Sequence, residues 1–166
     1  MITTIKKFIE AYIDLIEENN FEALYNKAFE DDNVDDEVYQ SLGEMTDELY
    51  ACDIDPLEYM TYIPCHYLTA SRLTEISVPA HINELVMGCC SSSNLNYIEL
   101  PEGITEIPGY SFYDCYNMES ILIPKSVKFI DRNAFSEDHI FKVKCYEGSY
   151  ADKWADEHGL WTEFIK

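Results

Sequence analysis

Leu73-Thr74-Glu75-Ile76-Ser77-Val78-Pro79, Leu95-Asn96-Tyr97-Ile98-Glu99-Leu100-Pro101 and Met118-Glu119-Ser120-Ile121-Leu122-Ile123-Pro124 share one pattern: apolar-x-x-apolar-x-apolar-Pro. The copies lie 22 and 23 residues apart, and Val143 continues the series Ile76, Ile98, Ile121 another 22 residues on. A fixed period in this range predicts a solenoid, in which each unit buries its apolar side only against its neighbours. The segments are short and end in proline, so they read as strands that stop at the proline.

Two more landmarks follow each strand. Beyond the prolines come the pairs Ile82 and Leu85, Ile104 and Ile107, and Val127 and Ile130. Five residues past each pair stands a third apolar site: Cys90, Phe112 and Phe135. Upstream, Met60, Ile63 and Leu68 fit the same register. About four coils are expected, over residues 54–147. In this register Cys89-Cys90 is two core positions of one turn and not a redox pair.

The stretch Ile123-Pro124-Lys125-Ser126-Val127-Lys128-Phe129-Ile130-Asp131-Arg132-Asn133-Ala134-Phe135 resembles the BspA-like leucine-rich repeats. Those carry a strand ending in Ile-Pro, then Ser-Val-x-x-Ile, then Asn-Ala-Phe and a Cys. Residues Ile107 to Cys115, with Ser111-Phe112 in place of Ala-Phe, are a looser copy. The resemblance covers roughly residues 60–160. It implies protein or surface recognition, with the x residues of each strand on the concave side. These are Thr74, Glu75 and Ser77; Asn96, Tyr97 and Glu99; Glu119, Ser120 and Leu122; and Phe141, Lys142 and Lys144. The binding expectation centres on Tyr97, Glu99, Ser120, Leu122 and Phe141, because exposed aromatic and apolar groups anchor interfaces. Twelve residues fall short of the roughly 20–30 per side of a standard interface. Further contacts are therefore expected from the acidic helices, from loops around Tyr110, Tyr113 and Tyr116, or from a second copy of the chain.

The flanks read as helices. Residues 4–18 put Ile5, Phe8, Ile9, Tyr12, Ile13 and Ile16 on one face, with Thr3 or Thr4 as cap. A second helix starts at Asn20, with Phe21, Leu24, Tyr25, Ala28 and Phe29 on its face. A third runs from about Asp36 to Tyr50, weakened at Gly43 by about 1 kcal/mol relative to Ala. At the other end, Ser149 and Asp152 form a capping box for a helix closed by Gly159. Trp161 and Phe164 fold back as a short strand, and Trp154 and Trp161 both read as core. The fold class is α+β: an acidic helical cap (1–53), the repeats (54–147) and a helix–strand cap (148–166).

Charge bounds the function. The chain of 166 residues carries a net charge of −21, with 17 Asp/Glu against 3 Lys/Arg in residues 1–60. Direct nucleic-acid binding is disfavoured, since phosphate affinity comes from clustered Lys and Arg. The expected partner is a protein, basic by complementarity. The alternative is an inhibitor that mimics nucleic acid, of the anti-restriction, anti-CRISPR or toxin-immunity type. The densest acidic run, Glu30, Asp31, Asp32, Asp35, Asp36 and Glu37, lacks the residue order of a calcium loop and reads as a solvated linker. No metal, cofactor or catalytic constellation is expected: the histidines are scattered, and Cys65-His66 is a weak pair because adjacent residues rarely point the same way. Glu10, Asp14, Glu17 and Glu18 interrupt the first apolar run, so it is no signal peptide, and nothing reaches membrane-span length. The expected localisation is cytoplasmic.

Overall fold

The computed structural model describes residues 2–137 and 139–166. The repeat folds as the spacing predicts. Its main wall is a parallel sheet of β2 (Glu75–Ile76), β4 (Tyr97–Glu99), β6 (Ser120–Leu122), β8 (Lys142–Cys145) and β9 (Trp161–Phe164), in that order. Ile76, Ile98, Ile121 and Val143 stand in one register, so the anchors of the repeat are stacked neighbours. A second wall holds β1 (Tyr62–Ile63) paired with β3 (Glu84–Leu85), and β5 (Glu106–Ile107) paired with β7 (Phe129–Ile130). The third landmark forms the remaining corner, where Phe112 bridges Phe135 and their rings stack at 5.3 Å. Cys89 and Cys90 are fully buried core residues.

The coils bend at two recurring backbone positions in the left-handed region. One is His66, Gly88 and Tyr110; the other is Ala70, Ser92 and Asp114. Within each set the spacing is 22 residues. Side chains also bond across one coil: the carboxylate of Glu102 accepts from the backbone N–H of Lys125 and of Ser126, both at 3.1 Å.

The N-terminal helices are more broken than their periodicity predicts. The first is split into α1 (Ile5–Ala11) and α2 (Ile13–Glu17). The break is at Tyr12, whose ring meets Phe8 edge-on at 5.0 Å and whose hydroxyl donates to Asp31. Helix α3 (Phe21–Glu30) is capped by Asn20 as expected. The third helix divides into α4 (Asp36–Tyr39) and α5 (Leu42–Ala51).

Helix α5 seals the first coil. A Cβ on Gly43 would lie 2.3 Å from the Thr69 carbonyl oxygen, and the Gly43 N–H donates to that oxygen at 3.1 Å. One turn on, the buried carboxylate of Asp47 accepts from Ser71 Oγ at 2.5 Å and from the Arg72 N–H at 2.9 Å. One hydrophobic core runs from Phe8 through every coil to Ala155.

A 3₁₀ turn (Pro56–Tyr59) opens the solenoid, and the final strand expected at Trp161 and Phe164 joins the main sheet as β9, which brings the count to about five turns where about four were expected. The carboxyl end differs from expectation at two side chains. Trp154, on α6 (Tyr150–Glu157), is core, packed at 5.3 Å on Phe135. Trp161 is not core, being 74% exposed. Register pairs it with Lys142, on the outward row of the sheet, so its ring faces away from the core. Phe141 is buried at 4%, with its ring 4.9 Å from Phe135 and 5.7 Å from His139. Ile140 takes the exposed place instead. The apolar slot between Phe135 and His139 draws the larger ring inward and turns out the smaller side chain.

Candidate interaction surface

The outward face of the main sheet consists of two rows set by strand register. One is Glu75, Tyr97, Ser120, Lys142 and Trp161; the other is Glu99, Leu122, Lys144 and Glu163. Of the five residues expected to centre a binding surface, Tyr97, Glu99, Ser120 and Leu122 come together here. Phe141 does not, because it lies in the core.

The face is electrically graded. Glu75 and Glu99 occupy the β2 end, and Lys142 and Lys144 occupy β8. Tyr97 lies between the two charges: Lys144 Nζ sits 4.4 Å above its ring, and its hydroxyl donates to Glu99 at 3.4 Å. Partial burial, then the Glu99 charge, pushes the Tyr97 phenol up, so it stays a neutral donor. Lys142 pairs with Glu163 at 3.0 Å. A groove of about 720 Å³ runs along the β2 edge, lined by Glu75, Ile76, Ser77, Val78, Tyr97 and Glu99 among others.

Sequence reading missed Trp161 as part of this face. The signal was present: Trp161-x-Glu163 repeats the spacing of Lys142-x-Lys144, which alternation places on one side of the sheet. At the third corner Tyr110, Tyr113 and Tyr116 are all exposed, with Tyr110 and Tyr113 edge-to-face at 5.5 Å. The Tyr116 hydroxyl donates to Asp114 at 2.7 Å.

The acidic run divides by role. Asp31 accepts from Tyr12 and from both nitrogens of Asn33, and these bonds hold its carboxyl below the ordinary range. Asp35 caps α4 through the Glu37 N–H. Glu30, Asp32, Asp36 and Glu37 project into solvent.

Cys65 and His66 are tuned away from nucleophile and base. Burial raises the Cys65 thiol and lowers the His66 imidazole, which favours neutral forms of both, and His66 Nδ1 bonds Thr69 Oγ1 at 2.9 Å. Among the described residues, no group of three or more His, Cys, Asp or Glu is placed to hold a metal ion. No helix among them is long and apolar enough to cross a membrane.

The stretch that carries the stacked anchors, the prolines at the strand exits and the Asn-Ala-Phe corner matches a known family, the BspA type leucine rich repeat region, in six copies over residues 48–149. The chain belongs to this family. No curated protein and no solved structure matches it. As a BspA-type leucine-rich-repeat solenoid it has the architecture of a protein-interaction module. The family match leaves out most of the acidic helices, which are an addition to the repeat.

Proposed function

We propose that this BspA-type chain is a non-enzymatic interaction module that holds a basic segment of a partner protein against the acidic end of its outward sheet. The groove beside β2 carries the reading: Glu75 is the cross-strand partner of Tyr97, Glu99 stands two residues on, and Ile76 and Val78 share the lining. A Lys or Arg side chain can lay its stem on the ring and apolar floor while its charge meets the carboxylates. Leu122 extends the apolar strip, and the exposed carboxylates of the N-terminal helices add long-range attraction.

The test is affinity capture with the intact chain as bait and identification of the retained protein by mass spectrometry. Tyr97→Ala with Leu122→Ala should keep the fold, since both side chains are half-buried and outside the core, and should weaken capture of a basic partner at least about tenfold. Unchanged capture, or a partner without a basic surface, overturns the proposal. The reading as a nucleic-acid mimic rests on the 17 Asp/Glu against 3 Lys/Arg of residues 1–60. It requires that added duplex DNA compete for the same partner. If DNA displaces the partner while the Tyr97→Ala/Leu122→Ala variant still binds, mimicry replaces the sheet-face reading.

A further inference from the structure

We propose that β9 is a self-association edge, by which two copies of the chain join about a two-fold axis with β9 antiparallel to β9. Among the described residues, strand β9 has a neighbour on one side only. The Ile165 N–H donates to the Cys145 carbonyl at 2.9 Å. Since backbone groups alternate along a strand, those of Trp161, Glu163 and Ile165 turn toward β8, and those of Thr162 and Phe164 turn to the open side. At four residues β9 matches β8 as the longest strand, and all four are exposed. It has none of the usual protection of an edge: no proline, no lysine, and one acid, Glu163, already paired with Lys142.

The exposed apolar residues of the last coil gather at this end: Ile140 at 71%, Trp161 at 74% and Phe164 at 50%. Covering them along with the strand edge removes on the order of 1,000 Å² from two copies, the low end for a specific interface.

Charge selects a second copy as the occupant. Residues 125–166 hold 7 Lys/Arg and 8 Asp/Glu, whereas residues 1–124 hold 4 and 24. Two copies can therefore approach at the β9 end with little repulsion, and a two-fold axis there sends the acidic caps to opposite extremes. Head-to-tail stacking of β9 on β2 would instead bring Glu75 and the acidic coils into the contact. The two-fold pairing yields one continuous sheet of ten strands, about 43 Å across at ~4.8 Å per strand.

The inference stands apart from the basic-partner reading, and salt separates them: the dimer should be weakest at low ionic strength, the partner complex weakest at high. The experiment is sedimentation velocity on the full chain of 19.3 kDa across a range of micromolar concentrations. A reversible monomer–dimer equilibrium is expected. Thr162→Pro removes an N–H on the open side and spares the β8 ladder, so it should raise the dissociation constant at least about tenfold with the circular dichroism spectrum unchanged. A second variant, Trp161→Ser with Phe164→Ser, should do the same through the side chains. A wild-type monomer at every concentration, a ladder of larger species, or a dimer that survives both variants overturns the proposal.

Discussion

Single residues decide how the acidic helices join the repeat. Gly43 reads from sequence as a weak point of a helix, where alanine would gain about 1 kcal/mol. Its surroundings reverse the sign, because the added Cβ would meet the Thr69 carbonyl oxygen at 2.3 Å and the Leu68 carbonyl carbon at 2.7 Å. These atoms are backbone and have little freedom to move away. Gly43→Ala is expected to cost about 2–3 kcal/mol in urea unfolding, as overpacking does. A gain in stability would mean that α5 does not dock on the first coil as described. Asp47 acts alongside: its buried carboxylate accepts from Ser71 and Arg72, and so ties the same helix to the same turn.

At the scale of elements, the coil is defined as much by its corners as by its strands. Position 88 has φ +72, and a Cβ there would meet nothing closer than 3.8 Å. Gly88→Ala therefore tests backbone conformation alone and should cost about 1 kcal/mol. Ala70→Gly, at the other corner with φ 61, should stabilise by about 0.5 kcal/mol, the strain relieved less the extra freedom of the unfolded chain. Thermal denaturation of both variants, with shifts of opposite sign, checks the pair.

The strands were legible in the sequence because each coil repeats one local pattern, and Ile76, Ile98, Ile121 and Val143 fall into register as written. The corners were not, because His66, Ala70, Tyr110 and Asp114 carry no glycine to mark a left-handed turn. Phe141 and Trp161 were misplaced for a related reason. Both lie where the repeat gives way to α6: the rings of Phe135 and His139 draw Phe141 inward, and Trp161 follows the outward row of Lys142 instead of the core. On the outward face, Tyr97, Glu99, Ser120 and Leu122 follow from alternation alone, whereas the lysine over the Tyr97 ring depends on residues 47 positions apart.

Over the whole molecule, buried phenols are expected to set the alkaline limit of stability. Burial is the largest cause that raises Tyr12, to about 12, and that raises Tyr25, Tyr50 and Tyr67 above the ordinary tyrosine value. A pKa raised on folding contributes stability that is fully present below the unfolded value near 10 and is lost as pH climbs toward the folded one. Unfolding is therefore expected above pH ~10, aided by repulsion as tyrosinates add to an already negative chain. Tyrosinate absorbance and ellipticity should change together, because Tyr25 and Tyr67 ionise only as the core opens. Complete ionisation before any loss of ellipticity would contradict their burial.

The two ends of the solenoid are closed unequally. The first coil lies under α5, held at Gly43 and Asp47 and joined to a continuous core. The last coil is finished by α6 and by a strand with no residue buried. Since each coil leans only on its neighbours, the order in which they come apart is set by their ends, and in a lone copy β9 is the place to begin. The chain is thus expected to have a polarity of dissolution, unzipping from its carboxyl end toward its amino end, so that whatever shields β9 would lengthen the life of every coil behind it.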